Sequence, residues 1–591
     1  MLTNPIPEFF HKPYDLMKII HLFVVFCLLA AQCKAQETQV PSAEGVWKVV
    51  LKDDRKLVED FRIYKQDNQW KATLGKADVP IKYKQGKFII THKGASFDGV
   101  FAQNQQFIKG FWKQYRYAAP VKLTKTANGW QGTREVQFQR LTLHLVIRTD
   151  KETGKLKGYI YNYERNVGAY IRISKVVQQG RKLMLYGRRN PNRPMNNGEL
   201  SEDGKTLHMP VDAAGMEGKI FRRVDPAKEI RMTPRIGQKT YTYKTPKQTN
   251  DGWQTASLAK SGADMGKIKE LMEAILTKKY PNLHSLLIAN NNQLVLEEYF
   301  YGHHRDHLHD TRSSGKSLAS TMIGLAMDRN LLTSVDQKVV DLFPQFKGQI
   351  KNLDARKKRM RIRDLMTMAT GLACNDGTYK SPGNEDRMQN QDKQPDWAKY
   401  TLDLPMVREP GEKALYCSGG VNVLGQIVSN VSRTPTYAFL HENLFEPLGI
   451  ERYVMNMTPV NNGYLGGGIY MRPRDLAKFG QLFVNEGTWK GKRIISKKWV
   501  KEATQGYSTM NGEKYNNYGY NWWIKHYEVD GEKYTAFYAS GNGGQLIFGV
   551  PKLNLVVAFN AGNYSQYYAW KKYSQEIMPK YIIPAIAKMK K

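Results

Sequence analysis

Thr311-Arg312-Ser313-Ser314-Gly315-Lys316-Ser317-Leu318 precedes an apolar pattern of helical spacing, and this stretch decides how the chain is interpreted. If a helix begins near Ser313, then Ser313 and Lys316 lie three residues apart on one face, at the positive end of the helix dipole. A serine hydroxyl becomes a strong nucleophile when a neighbour takes its proton, and a lysine with a lowered pKa can do so. The pattern therefore predicts a serine nucleophile with a lysine base. An isolated match is more typical of a helix N-cap serine beside a surface lysine.

Two further motifs follow in order along the chain. Residues 416–420 read Tyr-Cys-Ser-Gly-Gly and lead into another helical pattern, and residues 539–544 read Ala-Ser-Gly-Asn-Gly-Gly between two strand patterns. A tyrosine near a serine and a lysine can accept or relay a proton. A glycine-rich strand beside a cleft lets substrate approach the backbone and offers N–H donors to an oxyanion. The presence of these two motifs after the first favours a catalytic role for Ser313.

Together the three motifs resemble the β-lactamase-related serine hydrolases, which include class C β-lactamases, penicillin-binding carboxypeptidases, family esterases and 6-aminohexanoate-dimer hydrolase. The resemblance covers about residues 240–570 and extends to the stretches 364–372 (DLMTMATGL), 447–450 (PLGI) and 466–477 (GGGIYMRPRDLA). It implies that Ser313 is acylated and that Lys316 and Tyr416 move the protons. It also implies an oxyanion and substrate site that uses the backbone N–H of Ser313 together with Asn542, Ser540, Gly541 and Ser418.

Two departures from the family pattern bear on the substrate. The second motif is often Tyr-x-Asn, but its third residue here is Ser418. The third motif usually begins with Lys or His, but here it begins with Ala539, so the cation that would meet the carboxylate of a β-lactam or a peptide is missing. We therefore expect an esterase or amidase. The alternatives are a true β-lactamase or D,D-peptidase, and a non-catalytic penicillin-binding-like sensor or envelope-binding protein.

The chain of 591 residues is too long for a single hydrophobic core. Strand patterns such as the alternation over 141–147 predict an all-β domain at 36–224. A segment with three prolines predicts a linker at 225–253, and 254–591 is the predicted hydrolase domain, with a helix at 265–276. The predicted fold class is α+β, because the resemblance implies a β-lactamase/transpeptidase-like antiparallel sheet with helices and an all-helical lobe.

The N-terminal segment predicts export. Met17-Lys18 precedes the apolar run 19–31, and Cys33-Lys34-Ala35 follows, which is the order of a secretory signal. The run is too short to span a bilayer as a helix. We expect residues 1–35 to be a signal peptide cleaved after Ala35, and the protein to be periplasmic or secreted. A lipoprotein with lipid on Cys33 and a retained anchor are the alternatives.

The formal net charge of +35 favours contact with polyanions. Because the chain carries an export signal, this charge indicates an anionic envelope surface and not nucleic acid, with a merely solvated basic surface as the alternative. The other expected partner is a small-molecule or peptide-like ester or amide substrate.

Cys374 and Cys417 are the two cysteines outside the signal segment. An exported chain permits a disulfide between them, although free buried thiols remain open on the sequence alone. The patterns Gly-Leu-x-Cys and Tyr-Cys-x-Gly-Gly around them resemble one branch of the family, and that resemblance implies the bond.

Four histidines crowd the segment before the nucleophile: His303, His304, His307 and His309. They lack a helical metal signature such as H-E-x-x-H. We expect a polar loop at the rim of the cleft and neither metal nor cofactor, since an activated serine needs none. A metal site is the alternative.

Overall fold

The computed structural model describes residues 40–51, 58–135, 141–162, 167–187, 191–213 and 216–588. The predicted signal peptide, with Cys33 and Ala35, lies outside these residues. In the part of the chain that the structure describes, no helix has the length and apolar character needed to cross a membrane.

The N-terminal region contains a closed antiparallel barrel, whose strands follow the order β1-β11-β12-β13-β14-β15-β16-β17. Apolar side chains at alternating strand positions fill its interior, among them Trp47, Leu145 and Phe221. The barrel strands are β1 (Gly45–Leu51), β11 (Leu141–Thr149), β12 (Leu156–Asn162), β13 (Val167–Gln179), β14 (Lys182–Gly187), β15 (Pro194–Leu200), β16 (Thr206–Ala213) and β17 (Met216–Val224).

A second antiparallel sheet is inserted between β1 and β11, with the order β4-β3-β2-β10-β9-β8-β7-β6-β5. Its core is aromatic, and Phe61 packs edge-on against Phe97 and Trp112. The strands are β2 (Val58–Gln66), β3 (Gln69–Leu74), β4 (Ala77–Val79), β5 (Ile81–Lys84), β6 (Lys87–His92), β7 (Ala95–Ala102), β8 (Phe107–Gln114), β9 (Tyr117–Thr126) and β10 (Gly129–Glu135).

The C-terminal region is built on a seven-stranded sheet in the order β18-β20-β19-β29-β28-β27-β26. All residues of β19, β28 and β29 are buried, since helices cover both faces of the sheet. The strands are β18 (Gln254–Thr255), β19 (Leu283–Asn290), β20 (Gln293–Tyr299), β26 (Trp523–Val529), β27 (Glu532–Gly541), β28 (Gln545–Val550) and β29 (Leu555–Ala561). Five short strands lie outside this sheet: β21 (His309–Asp310), β22 (Tyr453–Asn456), β23 (Ile469–Met471), β24 (Thr488–Trp489) and β25 (Lys492–Arg493).

Several short helices form a lobe beside this sheet, where α7 packs against α2, α4 and α6. The helices are α1 (Met265–Leu276), α2 (Lys316–Asp328), α3 (Ala355–Arg359), α4 (Ile362–Met366), α5 (Glu385–Gln389), α6 (Trp397–Leu402), α7 (Ser418–Ser432), α8 (Thr436–Leu440), α9 (Pro473–Val484), α10 (Lys497–Ala503), α11 (Tyr567–Lys572) and α12 (Ile583–Ala587). The predicted α+β fold class, an all-β region followed by a β-lactamase/transpeptidase-like domain, is confirmed.

The N-terminal strands are joined to the catalytic domain by hydrogen bonding and by packing. Strand β9 pairs with β22 at Ala118 and Met455, so the inserted sheet continues into the C-terminal region. The predicted linker also packs on that region: Tyr241 donates a hydrogen bond of 2.6 Å to Glu298, and Asp251 pairs with the buried Arg474 at 3.0 Å. The inserted sheet and the predicted linker therefore both contact the C-terminal region.

Candidate active site

Ser313 lies in a single 3-10 turn, Arg312–Gly315, which continues directly into α2. Arg312 adopts a left-handed backbone conformation with φ of 49°. Asp310 holds this conformation, since its Oδ1 accepts the N–H of Arg312 at 2.9 Å and its Oδ2 pairs with the guanidinium at 2.9 Å. Such strained residues cluster at functional sites. The turn presents a half-buried Ser313 at the start of α2.

Lys316 is buried directly behind Ser313. Its Nζ lies 3.0 Å from Ser313 Oγ and also donates to the carbonyl oxygen of Gly466. Burial lowers the pKa of Lys316, while the carboxylates of Glu385 and Asp376 act in the opposite direction. A buried amine with a lowered pKa, at hydrogen-bonding distance from a hydroxyl, is suited to take its proton.

Tyr416 lies beside both residues. The Ser313 side chain acts to lower the pKa of the Tyr416 hydroxyl, and Lys316 Nζ lies 5.1 Å from the centroid of the Tyr416 ring. Burial raises the pKa of Tyr416 well above its ordinary value, so the phenol is neutral near pH 7. A neutral phenol can donate or relay a proton, which favours that role over action as a phenolate base.

The carboxylates of Asp376 and Glu385 act on the pKa of Lys316, and none of the three motifs predicts either of them. Asp376 Oδ2 accepts hydrogen bonds from the N–H and the hydroxyl of Ser418 at 2.8 and 2.7 Å. Burial, and then Glu385, raise the pKa of Asp376 to about 6. Tyr464 donates a hydrogen bond to Glu385. Because Ser418 is fully buried and its hydroxyl is directed at Asp376, it orients this carboxylate.

The disulfide implied by the resemblance is present between Cys374 and Cys417, with 5.5 Å between the Cα atoms. It joins the loop that carries Asp376 to the segment that carries Tyr416. The N–H of Asp376 also donates to the carbonyl oxygen of Tyr416 at 2.8 Å. These links hold two residues of the second motif, Tyr416 and Ser418, close to the carboxylates of Asp376 and Glu385.

The third motif meets the nucleophile turn at the end of β27. A Cβ atom on Gly541 would lie 2.3 Å from Thr311 O and 3.0 Å from Ser314 N, so only glycine allows this approach. Asn542 follows in an exposed turn, and its side-chain oxygen accepts the N–H of Ser565 at 2.8 Å. Ser540 is half-buried on β27. The backbone at Gly541 therefore runs beside the turn that carries Ser313, and the oxyanion role of residues 540–542 stays a prediction.

The prediction that the histidine segment is a polar loop at the cleft rim is wrong for two of its members. His303 and His309 are only 7% and 2% exposed, and both contact His284 of β19. The segment folds inward because His309 belongs to β21, which pairs with β23. His304 is exposed, as a rim loop requires.

Residues 269–562 match the family described as Beta-lactamase. The chain is 24% identical over 258 residues to 6-aminohexanoate-dimer hydrolase of Paenarthrobacter ureafaciens, which covers 40% of this chain and 63% of that protein. It is 21% identical over 212 residues to N-acetylmuramyl-L-alanine amidase of Bacillus subtilis, which covers 34% of this chain and 47% of that protein. Among solved structures, a penicillin-binding protein homologue from Caulobacter crescentus is similar at 16% identity and a TM-score of 0.40, over 50% of this chain and 91% of that chain.

The chain spans between about half and 63% of the length of these two curated relatives. The barrel and the inserted sheet precede the matched range, which begins at residue 269 in α1. Within that range the three motifs converge on Ser313, Lys316 and Tyr416, in the order that the family pattern has. The chain therefore belongs to the β-lactamase-related serine hydrolase family.

Proposed function

We propose that this protein is an exported hydrolase that cleaves an ester or an amide through an acyl-enzyme on Ser313. The observation that carries the proposal is the 3.0 Å separation between Ser313 Oγ and the buried Nζ of Lys316. Burial lowers the pKa of this lysine, so its neutral form is more accessible near pH 7 than that of an exposed lysine.

The first half of the reaction forms the acyl-enzyme. Lys316 Nζ takes the proton of Ser313 as its Oγ bonds to the substrate carbonyl carbon, and the carbonyl oxygen becomes an oxyanion beside the N–H groups of Ser313 and Asn542. The bond to the leaving alcohol or amine then breaks. Tyr416 gives its proton to the leaving group and regains one from the Lys316 ammonium.

The second half restores the enzyme. Lys316 takes a proton from a water molecule, whose oxygen bonds to the acyl carbon. The bond to Ser313 Oγ then breaks, and Oγ regains the proton from Lys316. The products are a carboxylic acid and the alcohol or amine released earlier, so one water molecule is consumed for each bond cleaved.

The substrate class follows from what surrounds Ser313. Ala539, at the start of the third motif, supplies no cation to bind a substrate carboxylate. This favours substrates that carry no carboxylate at that end. One curated relative is named an amidase, which keeps amides beside esters in the proposal.

The proposal is tested by stopped-flow hydrolysis of an activated ester and an activated amide, with intact-mass detection of the acyl-enzyme. We expect a burst that matches the enzyme concentration and an adduct that Ser313→Ala abolishes. Ser174→Ala, at an exposed serine of the barrel, is the matched control and leaves both unchanged. Turnover without an adduct on Ser313 contradicts the mechanism, and efficient nitrocefin hydrolysis favours a true β-lactamase.

Export and contact with an anionic envelope surface remain part of the proposal. They are supported by the order of charged, apolar and small residues in 1–35 and by the net charge of +35. N-terminal sequencing of the protein recovered outside the cytoplasm tests the cleavage after Ala35. A chain that retains residues 1–35 contradicts it.

A further inference from the structure

A cluster of four imidazoles lies beside the strand that leads into the nucleophile turn. This histidine cluster consists of His284 on β19, His309 on β21, and His303 and His307 on the loop between β20 and β21. One ring nitrogen from each of His284, His303 and His309 lies within 4.8 Å of the other two. The closest pair is His284 Nδ1 and His309 Nε2, at 2.9 Å.

The rings of the histidine cluster are packed against one another. The His303 ring stacks on His284 with 3.9 Å between centroids, and the His307 ring lies 4.5 Å from that of His303. Burial lowers the pKa of all four side chains, so they are neutral near pH 7. The neutral ring is the form of histidine that binds metals.

The two ring nitrogens of His284 face different surroundings. Among the described residues, His284 Nε2 is buried and has no hydrogen-bond partner. It lies on a different edge of the ring from Nδ1, and Gly562 packs against it, since a Cβ atom there would lie 2.8 Å from this nitrogen. The nitrogen that His284 offers to the centre of the cluster is therefore Nδ1, which meets His309 Nε2.

We propose that the histidine cluster binds one divalent transition metal ion, of which Zn²⁺ is the best match. Imidazole nitrogens suit zinc, copper and nickel, whereas calcium and magnesium prefer oxygen ligands. The nearby carboxylate of Asp310 is occupied by Arg312 and does not add a hard ligand. Tetrahedral Zn–N bonds of about 2.0–2.1 Å place the nitrogens about 3.3 Å apart, so zinc binding must draw the three nitrogens together from separations of up to 4.8 Å.

The position of the site favours a structural role. His309 is four residues before Ser313, and the N–H of Thr311 is already bonded to Ile469 O of β23 at 2.9 Å. A metal held by His284 and His309 would join β19 to β21 and so fix the strand that leads into the nucleophile turn. Arg231, which donates to Gly302 O at 3.1 Å, adds positive charge nearby and limits the affinity for a cation.

The test uses the full chain without a histidine tag, dialysed against a chelator and then against metal-free buffer. Zinc is titrated in competition with a chromogenic chelator, and cobalt is added separately to record its visible absorption. We expect one zinc ion per chain with a Kd below about 1 μM, and the visible cobalt bands of a four-coordinate site with at least three nitrogen ligands. His303→Asn and His309→Asn weaken zinc binding more than about tenfold. His526→Asn, at an exposed histidine of β26, leaves it unchanged.

Two results would overturn the proposal. One is folded wild-type protein that binds no stoichiometric zinc. The other is unchanged zinc affinity in His303→Asn and His309→Asn. Because these variants can lose the fold, X-ray absorption of zinc-loaded wild type gives an independent count of imidazole ligands, and fewer than three contradicts the site.

Discussion

Two buried lysines in the C-terminal region differ in the groups that their amines contact. Lys357 of α3 donates to three carbonyl oxygens, those of Lys351, Leu402 and Leu404, at 2.7–2.8 Å. Lys316 of α2 meets one carbonyl oxygen, that of Gly466, and the hydroxyl of Ser313. Burial lowers the pKa of both, to about 8 for Lys357.

The comparison shows that a shifted pKa does not by itself mark a catalytic lysine, because structural networks shift pKa values too. An ammonium has three N–H groups, and the three carbonyl oxygens around Lys357 accept all of them. The surroundings of Lys357 therefore suit its charged form. The Lys316 region instead offers a hydroxyl that can give up a proton. Whether a buried lysine can act as a base therefore depends on the group that its amine contacts.

Lys316→Met and Lys357→Met separate the two roles most sharply. We expect Lys316→Met to lower kcat/KM by about 10³-fold, since it removes the general base. We expect Lys357→Met to retain kcat/KM in the folded enzyme but to lower the free energy of unfolding by about 3 kcal/mol, since three carbonyl oxygens lose their donor. Ester kinetics and urea unfolding of both variants give the answer. Similar losses of kcat/KM in the two variants would contradict the assignment of a catalytic role to Lys316 and a structural role to Lys357.

The disulfide supports the Lys316 region through the segments that carry Asp376 and Tyr416. It closes a loop with a sequence separation of 43, for which the chain-entropy relation gives about 4 kcal/mol. We expect Cys374→Ala/Cys417→Ala to lower the free energy of unfolding by about that amount, as measured in urea. Reduced wild-type protein is the matched comparison. A change below about 1 kcal/mol would show that packing alone holds the segments together.

Gly541→Ala tests the contact between β27 and the nucleophile turn. The added Cβ atom would lie 2.3 Å from Thr311 O, so strand and turn must separate, and we expect kcat/KM to fall about 100-fold. Gly187→Ala, on β14 of the barrel, is the control, because the nearest atom there would be 3.4 Å from the new Cβ. Wild-type activity in Gly541→Ala would place the oxyanion donors elsewhere.

Glu385→Gln tests the electrostatics around Lys316 through the pH dependence of kcat/KM. The protonated amine cannot accept the Ser313 proton, so activity rises as pH passes the pKa of Lys316. Because Glu385 raises this pKa, its neutralisation moves the rising limb to lower pH. Asp403→Asn, which acts on the pKa of Lys357, leaves the limb in place. A limb that moves to higher pH in Glu385→Gln would contradict this account.

The sequence predicts the parts of the site that recurring motifs carry. Ser313, Lys316 and Tyr416 come together as their order indicates, and the helix predicted at 265–276 is α1, because its apolar spacing is local information. The disulfide is implied only by the resemblance to one branch of the family, and the structure contains it.

The rest depends on contacts between distant segments. Asp376 lies in a loop and Glu385 at the start of the short helix α5, and only the disulfide and tertiary packing bring them to Lys316. His284 joins the other histidines because β19 is buried beside them. Strand alternation likewise predicts an all-β region but does not reveal a barrel interrupted by an inserted sheet, since strand pairing is not encoded locally.

The most direct test of an activated serine is labelling of the folded protein with a fluorophosphonate probe, followed by peptide mass spectrometry. The account predicts one adduct, on Ser313, that disappears in Ser313→Ala and forms far more slowly in Lys316→Met. An unlabelled folded protein, or an adduct on another serine, would contradict it and would favour the non-catalytic sensor.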